Sequence, residues 1–202
     1  QRQMCIRDRD TVEWPEAVKH MQRNWIGKSV GALVRFTGHN VPKLEVYTTR
    51  ADTLFGATFA VLSPEHPLVD EFVTAAWPED VNPAWTQGAA TPAEAVAEYQ
   101  RAAAAKTPAE RQEDKNKTGV FTGSYVKNPA TGQDMPVFVA DYVLMGYGTG
   151  AVMGVPAEDS RDWDFAKAFG LPYIRTVEPP ADHDEDQPYL GEGQKINSAN
   201  EH

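Results

Sequence analysis

The stretch GTGAVMGVPAEDSRDWDFA, residues 148–166, constrains the fold of this chain more than any other feature. Two closely spaced glycines open it and allow a tight turn, because glycine accepts backbone angles that other residues avoid. Asp159 then stands where a residue caps a helix, and the segment SRDWDFAKAF that follows is ended by Gly170 and Pro172. The stretch therefore predicts a glycine turn that leads to the acidic start of a helix.

This helix start offers more carboxylates than capping requires. Asp159 can cap the helix and Asp162 falls in its first turn, yet Glu158 and Asp164 stand beside them. For Asp159, a purely structural cap and a role in a site remain open alternatives. The helix dipole predicts that Asp162 is ionised near neutral pH. An ionised carboxylate at the edge of a pocket can bind an ammonium group through a charge-assisted hydrogen bond.

A second polar cluster, TTRADT at residues 48–53, follows the alternating segment KLEVYTTR, which predicts a strand. Asp52 is expected to cap the short helical turn TLFGA. Each of these residues alone could be a polar residue at the end of a strand or, for Asp52, a helix cap. Five polar residues among six are harder to explain by structure alone. The two clusters together offer hydroxyls, a guanidinium and a carboxylate, without an activated nucleophile. Such groups can position a water molecule and stabilise developing charge.

Short strands and inserted helices are predicted along the rest of the chain. Thr91 is placed to cap the clearest helix, which Pro92 begins. Before that helix, the sequence predicts a helix over 14–20, a strand with alternating apolar residues from Val30 to Phe36, a buried strand over 58–62 and a helix over 66–77. After it, the sequence predicts a polar spacer over 111–117 and three short strands between 119 and 148, with turns at Gly123, 128–129 and 131–132. This pattern indicates an α+β fold, with a barrel-like β core and inserted helices.

Composition limits the class of protein. A chain of 202 residues with 41% hydrophobic residues fits one globular domain, and it shows neither a membrane-spanning run nor a signal peptide. Its single cysteine predicts a reducing, cytoplasmic setting. The net charge of −10 argues against broad nucleic-acid binding, although the acidic residues concentrate in 178–194. The expected division is a tail over 1–13, a folded domain over 14–178 and an acidic segment over 179–202.

Several familiar sites are absent from the sequence. It has no nucleophile elbow, no phosphate-binding loop with a lysine, and no Cys/His metal spacing, so we expect no metal. Gly146, Gly148 and Ala151 match the dinucleotide fingerprint, but the residues that follow do not begin the helix that this site needs. The five histidines are scattered among polar residues and are predicted to lie at the surface. The acidic run 182–186 is typical of a solvated loop.

Four motifs of this chain resemble the editing domain of leucyl-tRNA synthetases, the connective-peptide insertion of these class I enzymes. They are RNWIGKS (23–29), TTRADTLFGAT (48–58), KTGVFTGSYVKNP (117–129) and DYVLMGYGTGAVMGVPAEDSRDWDFA (141–166). The isoleucyl and valyl relatives share the glycine turn but carry histidine where this chain has Met153. The resemblance covers about residues 16–178 and implies the editing-domain fold that the valyl, isoleucyl and leucyl enzymes share.

The resemblance implies post-transfer editing, which is hydrolysis of the ester that joins a wrong amino acid to the terminal adenosine of tRNA(Leu). The implied substrates carry norvaline, isoleucine or methionine, and leucine is excluded. Editing needs no cofactor, since ATP and magnesium belong to the aminoacylation domain. The implied partners are the tRNA(Leu) 3′ end, a noncognate aminoacyl-adenosine and the remainder of a synthetase, with the chain itself a monomer and no membrane involved.

The resemblance also implies a role for each candidate residue. Thr53 is the steric gate against leucine, Thr48 and Thr49 contact the ester and help to position water, and Asp162 binds the α-amino group. By the same resemblance, Met153 and Val155 line the side-chain pocket, and Asp159 supports it. Arg50 and Arg161 steady the RNA end or the loops.

Two positions depart from the family pattern: Ala51 stands where proline is common, and Glu158 stands where histidine is usual. The two signature motifs of a class I aminoacylation domain are absent, so we expect no aminoacylation by this chain. One alternative is a module that binds the tRNA 3′ end or an aminoacyl-adenosine with little turnover of its own. Another is an inert structural insertion.

Overall fold

A computed structural model describes residues 13–26, 30–113, 117–146 and 148–199. Expectations for the tail therefore lie almost wholly outside the described residues. The helices are α1 (Glu16–Ile26), α2 (Val69–Phe72), α3 (Pro92–Ala104), α4 (Pro108–Glu113) and α5 (Ser160–Phe169), and two 3₁₀ helices span Ala51–Gly56 and Pro83–Trp85. The strands are β1 (Ala32–Phe36), β2 (Leu44–Thr48), β3 (Phe59–Leu62), β4 (Val120–Lys127), β5 (Asp134–Val139) and β6 (Ala151–Gly154).

The strands form two sheets. One is an antiparallel ribbon of β1 and β2, and the other has four strands in the order β4-β5-β3-β6. In the larger sheet β3 runs parallel to β5 and antiparallel to β6, while β4 and β5 are antiparallel. A bridge between Thr37 and Lys127 connects the two sheets. The mixed α and β architecture is confirmed, but the described strands do not close into a barrel, so the barrel-like core is not confirmed.

Apolar residues cover both faces of the four-stranded sheet. In β3, Phe59 and Val61 point into a cluster with Phe165 of α5, whereas Ala60 and Leu62 face the opposite cluster. This division follows from the two-residue period of a strand. Phe36 of β1 belongs to the cluster that contains Ala60 and Leu62, because the ribbon of β1 and β2 covers that face of the sheet. Burial on both faces explains why β3 is apolar throughout instead of alternating.

The caps of α3 and α5 agree with the sequence predictions. The Thr91 hydroxyl accepts a hydrogen bond from the Glu94 amide at 3.3 Å, and Pro92 occupies the first turn of α3. Asp159 caps α5 by accepting from the amides of Arg161 and Asp162 at 2.8 and 3.2 Å. Gly170 then ends α5 in the left-handed region, at φ 63°.

Long-range pairing shortens the helix that was predicted over 66–77. Only Val69–Phe72 is helical, because the backbone becomes extended at Val73 and the Thr74 amide donates to the Thr122 carbonyl of β4. Gly123 does not separate two strands either. It lies at φ 88° inside β4, where the pairing with β5 shifts register between Phe121 and Tyr125. The region predicted as three short strands therefore holds two longer ones, joined by a turn at 128–133.

Three further predictions are corrected by the structure. The first helix extends to Ile26 instead of ending at residue 20, and β1 begins at Ala32 rather than Val30. The predicted spacer at 111–117 begins inside α4. Thr107 and Glu110 start that helix as a reciprocal capping box: the Thr107 amide donates to the Glu110 carboxylate at 2.7 Å, and the Glu110 amide donates to the Thr107 hydroxyl at 3.3 Å.

Residues 179–199 return over the folded domain. The Tyr189 amide donates to the Ala157 carbonyl at 2.8 Å, and Val177 pairs with Lys195 in an isolated bridge. The predicted boundary at residue 178 stays a prediction. In the part of the chain that the structure describes, no helix combines the length and the apolar character that crossing a bilayer requires.

Candidate active site

Antiparallel pairing of β3 with β6 brings the two polar clusters to one edge of the sheet. The first 3₁₀ helix, which carries Thr53, ends just before β3, and the acidic stretch begins just after β6. Phe59 at the start of β3 lies opposite Gly154 at the end of β6, and the Thr58 amide donates to the Gly154 carbonyl at 3.1 Å. Residues far apart in the chain therefore become neighbours.

A cavity of about 1130 Å³ opens at this edge, and all nine candidate residues line it. They are Thr48, Thr49, Arg50, Thr53, Met153, Val155, Asp159, Arg161 and Asp162. Met153 and Val155 are buried and give the cavity an apolar wall. Among the described lining residues there is no histidine, cysteine or serine, and the described part of the chain holds no group of three or more side chains suited to a metal ion.

The threonines at the end of β2 are held by local hydrogen bonds. The Thr48 hydroxyl accepts from the Arg50 amide at 3.0 Å, which fixes the turn out of the strand. Thr53 is fully buried; its hydroxyl donates to the Arg50 carbonyl at 2.8 Å, and its amide donates to the same oxygen at 3.1 Å. The Thr53 hydroxyl thus donates its proton to a backbone oxygen, and these two hydrogen bonds hold Thr53 in the cavity wall.

Asp52 does not cap the 3₁₀ helix, contrary to the sequence prediction. Its carboxylate accepts hydrogen bonds from the Arg50 guanidinium at 3.1 Å and forms an ion pair with Lys195. Burial alone would raise the pKa of Asp52, but the hydrogen bonds from Arg50 and Lys195 hold it at about 2. Asp52 therefore joins the cavity edge to the segment that follows α5.

Asn128 supports the 3₁₀ helix from the opposite side. Its buried side-chain amide donates to the Leu54 carbonyl at 2.8 Å and to the Ala57 carbonyl at 3.1 Å. Its side-chain oxygen accepts from the Ala130 amide at 2.9 Å, so all of these bonds depend on one side chain. The backbone that carries Thr53 is thereby tied to the turn between β4 and β5.

Asp162 is buried in the cavity wall. One carboxylate oxygen accepts from the Tyr142 hydroxyl at 3.1 Å, and the other accepts from the Val155 amide at 2.9 Å. Burial, reinforced by the nearby charge of Asp159, raises the pKa of Asp162 to about 7. The helix dipole therefore does not keep this group ionised near neutral pH, contrary to the sequence prediction, because desolvation outweighs the dipole. At neutral pH the carboxyl is divided between its two protonation states.

The charges around the cavity have both signs. Among the lining residues that the structure describes, the cationic side chains are those of Arg50, Arg111, Lys117 and Arg161, and the carboxylates are those of Glu158, Asp159 and Asp162. Arg111 bonds the Ala103 carbonyl and pairs with Glu65 at 2.6 Å. Glu158 is buried, and its carboxylate accepts from the Thr176 amide at 2.7 Å. Burial raises the pKa of Glu158 against the effect of that hydrogen bond.

Sequence reasoning missed Arg111, Lys117 and Tyr142 as cavity residues. The capping box around Thr107 and Glu110 was a readable signal for the helix that carries Arg111, but no spacing in the sequence places that helix at the cavity. His66 was also predicted at the surface and is instead buried beside the glycine turn, where its ring nitrogen accepts from the Leu68 amide at 3.2 Å. Burial lowers the pKa of His66.

Comparison with known families decides the family. A family model described as "Leucyl-tRNA synthetase, editing domain" matches residues 23–202. The chain belongs to the leucyl-tRNA synthetase editing-domain family. The leucyl-tRNA synthetase resemblance inferred from the four motifs is thus confirmed.

Proteins similar to this editing-domain chain include two leucine–tRNA ligases. That of Saccharopolyspora erythraea is 60% identical over 196 residues, which are 96% of this chain and 20% of that protein. That of Mycobacterium marinum is 59% identical over 197 residues, or 95% of this chain and 20% of that protein. The chain therefore spans one fifth of the length of these relatives.

A similar solved structure is the Agrobacterium radiobacter K84 agnB2 LeuRS in a ternary complex with tRNA and LeuAMS. Its TM-score is 0.64 and its identity is 35%, over 92% of this chain and 21% of that one. This similarity agrees with the editing-domain assignment and with the mixed α and β architecture.

Proposed function

We propose that this chain hydrolyses the ester between a noncognate amino acid and the terminal adenosine of tRNA(Leu). One observation carries the proposal: the threonine cluster and Asp162 line the same cavity. The ligase relatives and the LeuRS structure solved with tRNA support a substrate of this class. Aminoacylation is not part of the proposal, and neither ATP nor magnesium is required.

Water is the nucleophile in this proposal, because no described side chain in the cavity is an activated nucleophile. Thr48 and Thr49 orient the ester and the attacking water. Water adds to the ester carbonyl, the bond from that carbon to the ribose oxygen breaks, and the ribose oxygen takes up a proton. The products are the free amino acid and tRNA with an intact 3′ end. Catalysis of this kind comes from positioning and from stabilising the developing oxyanion.

Asp162 anchors the α-ammonium group of the substrate in its ionised form. An ammonium ion at this carboxylate favours ionisation, because an opposite charge within a few ångströms lowers the pKa of a carboxyl group. Arg50 and Arg161 steady the phosphates of the RNA end, and Asp159 supports the pocket by holding the start of α5. The buried Met153 and Val155 receive the apolar side chain.

Thr53 supplies the selectivity. A hydrophobic pocket distinguishes two side chains that differ by one methylene by only about 1–3 kcal/mol, so a separate site that excludes the correct product improves fidelity. The buried and hydrogen-bonded Thr53 presents a fixed obstacle to the branched side chain of leucine. Norvaline, isoleucine and methionine are the proposed substrates that pass it.

A single-turnover assay with norvalyl-tRNA(Leu) and a short norvalyl-adenosine ester tests the proposal. We expect hydrolysis of the tRNA ester above the uncatalysed rate, and its loss in Asp162→Ala. Asp164→Ala is the matched control, since Asp164 lies exposed on the same helix and does not line the cavity. Full activity in Asp162→Ala would show that the ammonium anchor is wrong.

A binding module is the second candidate, favoured by the net charge of −10. The same assay distinguishes it: such a module binds a non-hydrolysable norvalyl-adenosine but cleaves neither ester. A cytoplasmic location and a monomeric state stay predictions of this proposal.

A further inference from the structure

Both oxygens of Asp162 have a donor that does not come from its own helix. The Tyr142 hydroxyl, in the loop after β5, lies 3.1 Å from one oxygen, and the Val155 amide, just after β6, lies 2.9 Å from the other. Each oxygen of a carboxylate can accept a second hydrogen bond. The two donors therefore define the orientation of the carboxylate while leaving it able to accept a bond from a ligand in the cavity.

The loop that carries Tyr142 is anchored through the preceding residue. Asp141 is buried, and its carboxylate accepts from Lys106 at 2.9 Å. The Asp141 amide donates to the Tyr99 hydroxyl at 3.0 Å, and that hydroxyl also lies 3.0 Å from the Thr118 carbonyl. These contacts join the loop to α3 and to the segment before β4, so the backbone of Tyr142 is fixed independently of Asp162.

The ring of Tyr142 is also packed. Its centroid lies 5.6 Å from that of Phe165 on α5, and the Lys117 ammonium lies 5.8 Å above it. Tyr142 and Lys117 both line the cavity. The hydroxyl is therefore delivered to Asp162 by a side chain held on two sides, and rotation of the ring is restricted.

We propose that Tyr142 is a positioning residue that, together with the Val155 amide, orients the Asp162 carboxylate toward the ammonium group of the substrate. This inference rests on the proposed function for the identity of the ligand. Without the Tyr142 hydroxyl, only one oxygen of Asp162 keeps a donor, and the carboxylate can rotate away from the cavity. A hydrogen bond to an ionised group is worth roughly twice one between neutral groups.

The charged groups near Asp162 act in different directions. On its own helix, Asp159 disfavours the ionised carboxylate and Arg161 favours it. Tyr142 favours the ionised form from the opposite side by donating to it, and burial beside Asp162 raises the pKa of the Tyr142 hydroxyl, so it stays a donor. Removing the hydroxyl should therefore impair both the orientation of Asp162 and its charge at neutral pH.

The test measures binding of two probes to the full 202-residue chain: a non-hydrolysable norvalyl-adenosine amide, and its counterpart without the α-amino group. In Tyr142→Phe we expect affinity for the first probe to fall about tenfold at pH 7 and affinity for the second to stay within about twofold, since the loss of one charge-assisted hydrogen bond corresponds to such a factor. Tyr125→Phe is the matched control, because Tyr125 packs on Phe121 and does not line the cavity.

A carboxyl-carbon NMR titration adds a second readout that a purely structural role would not change. We expect the Asp162 midpoint in Tyr142→Phe to lie about half a unit to one unit above that of the unchanged chain. Equal weakening of both probes, or an unchanged affinity together with an unchanged midpoint, would overturn the inference. If the chain without substitution hydrolyses neither ester, the proposed function fails. The inference still stands in that case if Tyr142→Phe weakens binding of only the probe that carries the α-amino group.

Discussion

Thr53 and Asp162 are both buried in the wall of one cavity, although they lie on different helices and all four strands of the larger sheet lie between them in the sequence. Pairing of β3 with β6 produces this proximity. In the proposed editing reaction Thr53 excludes a side chain and Asp162 binds the amine of the same ligand, which requires that the two residues share a cavity.

Replacing Thr53 with alanine should admit leucine. The variant removes the Thr53 hydroxyl and methyl groups from the cavity lining but keeps the hydrogen bond that the amide of residue 53 donates to the Arg50 carbonyl, so the 3₁₀ helix should persist. We expect hydrolysis of leucyl-tRNA(Leu) to rise at least about tenfold, within the range that one methylene is worth. Thr58→Ala is the control, as Thr58 is also buried but lies outside the cavity lining. A leucyl-tRNA rate that stays at the original level would exclude the gate.

The rate of hydrolysis should have a bell-shaped dependence on pH. The anchor requires an ionised Asp162, whose pKa is about 7, and a protonated substrate amine, whose pKa in a free α-amino group is about 7.7–8.0. We therefore expect kcat/KM to rise through pH 7 and to fall near pH 8, after subtraction of the uncatalysed rate. An acid limb near pH 4, the usual range of an aspartate, would show that Asp162 is not the titrating anchor.

Asp162→Asn should stabilise the fold in a pH-dependent way. A carboxyl whose pKa is raised on folding contributes stability below its unfolded pKa near 4 and loses that contribution as the pH rises toward 7. Asparagine carries no charge and therefore avoids this loss. The gain in free energy of unfolding, variant minus original chain, should be larger at pH 8 than at pH 4, by at least about 2 kcal/mol. Urea unfolding at the two pH values measures this difference, with Asp164→Asn as the control for loss of a charge on α5. The same advantage at both pH values would contradict the prediction.

Asn128→Ala should destabilise the chain and loosen the gate together. It removes the donor to the Ala57 carbonyl and the acceptor of the Ala130 amide, whereas the Leu54 carbonyl keeps the hydrogen bond from the Ala57 amide. Each unsatisfied buried group costs about 1–3 kcal/mol. We expect a loss of about 2–4 kcal/mol in urea unfolding, accompanied by faster hydrolysis of leucyl-tRNA(Leu) relative to norvalyl-tRNA(Leu). Asn82→Ala removes a cap from the exposed second 3₁₀ helix and should cost about 1 kcal/mol without changing this ratio. An unchanged ratio of the two hydrolysis rates in Asn128→Ala would show that Asn128 does not affect the exclusion of leucine by Thr53.

Lys195→Met should raise the pKa of Asp52 from about 2 toward its ordinary value, because it removes one of two cationic partners. Both side chains are partly exposed, so the change in stability at pH 7 should stay within about 1 kcal/mol. The stability that depends on this pair is present above pH 4 and is lost as the pH falls toward 2. NMR titration of Asp52 measures the shift, and Lys127→Met, which removes an exposed ion pair with Asp134, is the control. An Asp52 titration that does not move would mean that Arg50 alone sets it.

Much of the local structure could be predicted from the sequence. Thr91 and Asp159 cap their helices as expected, and Gly170 ends α5, because capping depends on residues a few positions apart. The failures occur where distant segments compete. The helix predicted over 66–77 is cut short by the bond from Thr74 to Thr122, and Gly123 lies within a strand because β5 pairs on both sides of it. Neither contact leaves a periodic pattern in the sequence.

The candidate site divides in the same way. The sequence by itself determined the family, the caps formed by Thr91 and Asp159, and the set of nine residues to consider, since these depend on residue types at fixed spacing. Only the tertiary structure decided that the nine share a cavity, that Asp52 joins Arg50 to Lys195, and that Asp162 is shielded from water beside Tyr142. The physical reason is that burial and charge-charge distances are set by packing between segments, and a pKa follows from those quantities and not from the position of a residue in a helix.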